Sequence, residues 1–204
     1  ATILPQPDSS RLAGALATYG LIYYWIEGDF EAAYNVAAQY HEYQDLPPRS
    51  EEHRFDDRNL QIFFRYILKL AAYWQFNRQL YASSGDSKSI LYVLGESHAI
   101  SPANIVIPWL GRMARCKTNF VMGVKMWHLA SGTANFHSSA MRQRISSLPR
   151  NADLLFCIGE IDCRPNEGIW LYSRRSGKNI QAIIDRTVTG YLDWLQKELH
   201  SKSP

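Results

Sequence analysis

The chain has 204 residues, of which 46% are hydrophobic and 13% aromatic, and a formal net charge of +3. That length holds one domain, or one domain with a helical appendage, around a sizeable core. A charge this mild, with no long Lys/Arg block, gives no reason to expect a nucleic-acid partner.

The first predicted element is the nearly charge-free stretch Leu12 to Ile26, read as a helix. Its 15 residues fall short of the roughly 20 that a membrane span requires. It also contains Gly14 and Gly20 and has no basic leader, so a buried helix is expected rather than a signal or anchor, and no membrane partner. Leu12, Leu16, Tyr19, Tyr23 and Ile26 recur at helical spacing and predict its apolar stripe. Gly28-Asp29 breaks the helix, and Asp29 can cap a second one with the stripe Phe30, Ala33, Ala37 and Tyr40. Leu46-Pro47-Pro48 signals a linker. A long amphipathic helix follows over 56–81, with Leu60, Phe63, Phe64, Ile67, Ala71 and Trp74 on one face. The polar Ser83-Ser84-Gly85-Asp86-Ser87 then divides a helical region, 1–84, from a second region, 85–204.

From Ser89 the hydrophobic period changes. Strand-like runs fall at 89–95, 119–126 and 153–159, each with a helix candidate after it. Two later helices are predicted over 134–147 and 179–200. Gaps of about 30 residues suit βαβ units and a parallel sheet, so the fold class is α/β. Three strands make a thin sheet. Either the helical region covers its open edge or the chain is a piece of a longer protein. Cys116, Cys157 and Cys163 are an odd number without metal-ligand spacing, which fits a reduced, cytoplasmic setting.

The chemistry is expected where two apolar runs end, because open α/β sheets hold ligands at the carboxyl ends of their strands. The first run ends in Gly95-Glu96-Ser97-His98, the second in Gly159-Glu160-Ile161-Asp162-Cys163-Arg164. Ser97 is the candidate nucleophile. A serine at a tight turn after a strand has its hydroxyl lifted from the sheet, with backbone N–H groups nearby to hold an oxyanion. The competing reading is a helix cap. His98 is a candidate pocket residue or base. His128 follows the second run and is either a pocket residue or a structural histidine, while His137 is read as surface or cap. Glu160 and Asp162 would share a face if the chain were still extended there. They would then orient a base, bind a metal, or pair with Arg164 as structural ions. Gly132 could offer a backbone N–H to an oxyanion, or be only a turn. The sequence has no phosphate-binding glycine loop, no Gly-x-Ser-x-Gly elbow and no zinc spacing of histidines, so neither a cofactor nor a resident metal is predicted.

These residues carry a resemblance. Gly95-Glu96-Ser97 resembles the Gly-Asp-Ser block of the GDSL/SGNH hydrolases, with Glu96 for the usual Asp. Gly132 looks like the glycine of that family's second block. Gly159-Glu160-Ile161-Asp162 is similar to the Gly-x-Asn-Asp block, with Ile161 where the oxyanion asparagine would stand. The phrases at 124–130 and 159–168 are similar to a divergent bacterial branch whose members often carry tetratricopeptide-like helices, and Gly28 to Tyr34 resembles part of such a repeat. The resemblance covers about residues 88–200. It implies a flavodoxin-like SGNH sheet, ester hydrolysis or acyl transfer through Ser97, and an oxyanion site from Gly132 and the Ser97 N–H. Asp162 and Glu160 would shape the pocket or orient the base, with Asp162 counted beside Ser97 and Gly132 as catalytic and Glu96, His98, His128, Glu160 and Arg164 as binding residues. The implied substrate is a small-molecule or glycan ester, with the helical region free to meet a protein partner. The family's late Asp-x-x-His block has no counterpart here, so the base would be a histidine outside the chain, His98 or His128. The alternative is a non-catalytic ligand- or protein-binding module on a degenerate sheet of this kind.

Overall fold

The computed structural model describes residues 9–47, 54–82 and 89–200. The chain divides into two compact units, Ala1–Asp86 with Ala103–Val106, and Ser87–Pro102 with Ile107–Pro204. The polar segment 83–87, read as the boundary, lies outside the described residues, as does Pro48 of the linker signal.

The first unit is helical. α1 (Ser9–Glu27) and α2 (Phe30–Gln39) form a hairpin, and α3 (Arg54–Phe76) packs on both, followed by the short α4 (Arg78–Ala82). Asp29 caps α2 as expected, its side chain accepting from the Ala32 N–H at 3.1 Å. Asn104 closes the C-terminus of α1 by donating its amide to the carbonyls of Trp25 and Ile26 at 3.2 and 2.9 Å. Aromatic rings fill the core: Phe30 lies 4.8 Å from both Trp25 and Tyr81, and 5.7 Å from Trp74. Ala33 and Ala37 of α2 and Phe64, Ile67, Ala71 and Trp74 of α3 are buried on the expected faces.

The stripe read for α1 is corrected. Leu12, Leu16, Tyr19 and Tyr23 are each more than half exposed, and the buried face carries Ala17, Thr18, Leu21, Ile22 and Trp25. This helix is apolar nearly all round, so periodicity does not select a side. Packing selects it instead: Tyr43 sits where a side chain on Gly14 would be, and that fit needs the small-residue face turned inward.

The second unit is α/β. β1 (Ser89–Gly95) lies between β3 (Arg112–Phe120) and β4 (Asp153–Cys157) and is parallel to both, and β2 (Val106–Trp109) joins the outer edge of β3, giving the order β2-β3-β1-β4. The central strand is apolar on both faces, as a covered parallel strand must be. Leu91 and Val93 meet Ala114 and Cys116 on one side, while Leu94 joins Val121, Leu129, Met141 and Tyr191 on the other. α5 (Met126–Ala130), α6 (Phe136–Ser147) and α9 (Ile180–His200) supply that second side. The remaining helices, α7 (Glu160–Cys163) and α8 (Ile169–Ser176), follow β4.

Two expectations for the sheet are corrected. The second parallel strand covers 112–120 rather than 119–126, and residues 126–130 are helical. Its sequence alternates polar and apolar residues near the edge of the sheet, so it lacks the continuous apolar run that marks β1. The fourth strand, β2, was not expected. It pairs with β3 through the two-residue turn Leu110-Gly111, whose positive φ values of 46° and 78° are those of a type I′ hairpin. In consequence β1 is followed by a single 3₁₀ turn, Ser97–Ile100, and not by an α-helix. Among the described residues no helix is long and apolar enough to cross a membrane.

Candidate functional site

The two strand ends meet. β1 and β4 are neighbours with Gly95 opposite Cys157, and the Glu96 N–H donates to the Cys157 carbonyl at 3.2 Å. A methyl group on Gly95 would lie 2.0 Å from that carbonyl oxygen, so only glycine allows the close approach. The chain then turns into the 3₁₀ segment that starts at Ser97.

This turn folds the Glu96 side chain inward, where it is 1% exposed. Its carboxylate is the hub of the site. Ser97 Oγ donates to Glu96 Oε2 at 2.6 Å, and His98 Nδ1 pairs with Glu96 Oε1 at the same distance. The His98 backbone N–H adds a longer contact of 3.4 Å to Oε2. A carboxylate so enclosed is tolerated because donors surround it. The bond to Oε1 fixes the proton of a neutral His98 on Nδ1 and leaves Nε2 as its basic nitrogen. The imidazole is more than half exposed, whereas Ser97 is half-buried.

Glu160 faces the same place from the end of β4. One ligand atom from each of Glu96, His98 and Glu160 lies within 4.8 Å of the others, a set that could hold a divalent cation. Each donor is already engaged: both Glu160 oxygens accept from Arg164 Nε at 2.9 Å. The guanidinium holds the Glu160 carboxyl below the usual carboxylate range, with His98 helping, and is itself held above the ordinary arginine value. Arg164 also donates to Glu167 at 2.7 Å, and Glu167 reaches Lys125 at 3.5 Å.

The expected sharing of one face by Glu160 and Asp162 does not occur, because residues 160–163 form a helical turn and residues two apart diverge on a helix. Asp162 points inward, 3% exposed, and caps α5 by accepting the Met126 and Trp127 N–H groups at 2.7 and 3.3 Å. Burial raises its carboxyl above the usual range, and those two N–H bonds oppose the shift. Ile161 is buried where the resemblance would place an asparagine.

His128 and Gly132 lie elsewhere in the second unit. His128 Nδ1 accepts the Lys125 N–H at 3.1 Å, and its ring stacks on His137 at 4.0 Å with planes 1° apart. Burial first, then His137 and Lys125, lowers His128 to about 4. Burial lowers His137 as well, and this half-buried ring near the start of α6 is a stacking partner of His128 instead of a surface residue. His128 and Asp162 line a cavity of about 360 Å³ bounded by α5, α8 and α9. Gly132, with φ of 68°, lines a different cavity beside Arg142, Trp194 and Glu198.

The signal for this site lay in the local phrase Gly-Glu-Ser-His, where a carboxylate, a hydroxyl and an imidazole occupy consecutive positions. No protein-family model, curated protein or solved structure matches this chain.

Proposed function

We propose that the chain is a serine-dependent acyl hydrolase or acyltransferase with an SGNH-type sheet, acting on a small-molecule or glycan ester through Ser97. One observation carries this reading: a single buried carboxylate, Glu96, hydrogen-bonds both the Ser97 hydroxyl and the His98 imidazole at a strand end. A nucleophile, a proton acceptor and an orienting group within hydrogen-bond reach are what activates a serine. In this reading Ser97 Oγ bonds to the ester carbonyl carbon, and its proton enters the Glu96–His98 pair. That pair protonates the departing alkoxide as the ester C–O bond breaks. Water then attacks the acyl-serine, or an acceptor alcohol does so in transfer, and Ser97 recovers its proton. The Ser97 backbone N–H is the oxyanion donor. The role that the resemblance gives Gly132 finds no support in its surroundings. His98 is favoured over His128 as the histidine of this pair because it shares the Glu96 carboxylate with Ser97, whereas His128 lines a different cavity.

The test is covalent labelling with a fluorophosphonate. The wild-type chain is expected to label on Ser97, Ser97→Ala to lose the label, and Glu96→Gln to label about 100-fold more slowly, the size of effect typical of a lost acid–base partner. A folded wild-type chain that never labels overturns the reading.

A second reading rests on the convergence of Glu96, His98 and Glu160. A divalent cation there would displace the Arg164 and Ser97 bonds to the two carboxylates. Calorimetric titration with Zn²⁺ separates the two readings: stoichiometric binding lost in Glu160→Gln supports the metal site, and no heat dismisses it.

A further inference from the structure

The cavity bounded by α5, α8 and α9 has no part in the chemistry assigned to Ser97, yet its lining is specific. Its volume is about 360 Å³, and Trp127, Tyr172, Ile169 and Ile183 provide its apolar surface. Trp127 and Tyr172 are 51% and 43% exposed, so these two rings are not committed to the core. Pockets of this size that combine aromatic walls with a few polar groups are typical small-molecule sites.

The charges around the cavity point to the sign of its occupant. Asp162 lines the cavity, but its two oxygens accept the N–H groups of Met126 and Trp127. Glu167 is shared, with Arg164 at 2.7 Å and Lys125 at a loose 3.5 Å. Against these stand two lining cations, Lys125 and Arg186, and Lys178 Nζ lies 3.3 Å from the Tyr172 hydroxyl. Lys178 first, and then Arg186, hold the Tyr172 phenol below its ordinary pKa. His128, whose Nδ1 accepts the Lys125 N–H, also lines the cavity.

We propose that this cavity binds a small organic anion with a flat apolar body, the body between Trp127 and Tyr172 and the carboxylate or phosphate toward Lys125 and Arg186. The assignment stands whether or not Ser97 is a nucleophile. A planar guanidinium and an ammonium together suit an oxyanion, and aromatic walls suit a ring or a conjugated acyl group.

The experiment is calorimetric titration of the whole chain with 2-naphthoate and with 2-naphthamide, its neutral counterpart. The naphthoate is expected to bind saturably at sub-millimolar concentration, and the amide at least about tenfold more weakly, the ratio one charge-assisted hydrogen bond provides. Arg186→Ala should weaken naphthoate about tenfold and leave the amide unchanged. Trp127→Ala should weaken both, and Ser97→Ala neither. Near-ultraviolet circular dichroism establishes that each variant is folded. Equal binding of the two probes, or naphthoate binding that survives both Arg186→Ala and Trp127→Ala, overturns the assignment, as does no binding to the folded wild type. Because the readout is heat and not turnover, loss of this site and loss of Ser97 chemistry are separately visible.

Discussion

Ser97 Oγ donates a 2.6 Å hydrogen bond to the carboxylate of its own neighbour, Glu96, which is 1% exposed. The other Glu96 oxygen pairs with His98 at the same distance. Consecutive side chains rarely converge, and here the 3₁₀ turn after β1 bends the backbone back over the carboxylate. Glu96→Gln keeps the shape and removes the charge. Its amide nitrogen cannot accept, so either Ser97 or His98 loses its acceptor. Stability is expected to fall by about 1–3 kcal/mol, the cost of a buried group left unsatisfied. Urea denaturation measures it, and an unchanged midpoint would show that the carboxylate organises nothing.

Asp162 is read as a cap that fixes where α5 begins. Asp162→Ala frees the Met126 and Trp127 N–H groups and is expected to cost about 1–2 kcal/mol, as lost helix caps do. Asp162→Asn retains one acceptor oxygen and should recover about half of that loss. The denaturation slope should stay constant across the three proteins if only native stability changes. Equal loss in both variants would mean that charge, and not hydrogen bonding, is what Asp162 supplies.

Gly95 sets the distance between the two strand ends. The 2.0 Å approach of a would-be Cβ to the Cys157 carbonyl involves backbone on both sides, so no side chain can move aside to relieve it. Gly95→Ala is expected to cost about 3 kcal/mol or more, at the upper end of what overpacking does. It should also lengthen the Glu96 N–H to Cys157 bond. Amide exchange at Glu96 is the direct measure, and should accelerate beyond the change in global stability.

Much of this organisation is legible from residues alone. β1 is readable because Ile90 to Leu94 is continuously apolar and then stops at glycine. α9 is readable as a helix from the recurrence of Ile180, Ile183, Ile184, Val188, Tyr191, Leu195 and Leu199, though only part of that stripe turns inward: Ile183 and Tyr191 are buried, while Ile180 and Val188 are exposed. The hairpin β2–β3 is not readable in the same way. Its turn, Leu110-Gly111, lacks the asparagine or aspartate that usually marks such a turn, and Arg112 to Phe120 alternates charges with small residues. The side of α1 that faces inward is hidden because apolar residues surround the helix, and only the partner Tyr43 decides it. Ser97 and Glu160 could be placed at adjacent strand tips from the order of the runs. The inward turn of Asp162 could not, because it depends on four residues being helical instead of extended.

His128 makes stability depend on pH. Its folded-state value of about 4 lies below the ordinary 6.5, so between these values the unfolded chain binds the extra proton. The contribution is complete above pH 6.5 and is lost as pH falls toward 4. His137, lowered chiefly by burial, acts in the same direction. Asp162, raised by burial, opposes them only near the carboxylate range. The melting temperature is expected to fall by about 4–8 °C from pH 7 to 5 through these rings, the shift that about 2 kcal/mol gives in a chain this size. His128→Gln should flatten that dependence, and an unaltered slope would place the titration elsewhere.

Leu110 offers a gain in stability. It is 79% exposed and adopts φ of +46°, a left-handed conformation that a leucine side chain disfavours. It occupies the first central position of a type I′ turn and is followed by Gly111. Asn-Gly is the pair this turn favours, since asparagine tolerates positive φ. Leu110→Asn removes strain and an exposed apolar group, and touches nothing in the core. It is expected to stabilise the chain by about 0.5–1 kcal/mol, the range found for backbone-compatible turn substitutions. Leu110→Val, which is branched at Cβ, should destabilise it instead, because branching penalises positive φ further. Thermal melts of the three proteins should therefore rank asparagine above leucine above valine. The opposite order would mean that β2 and β3 are not joined by this turn, and the edge of the sheet would then have to be redrawn.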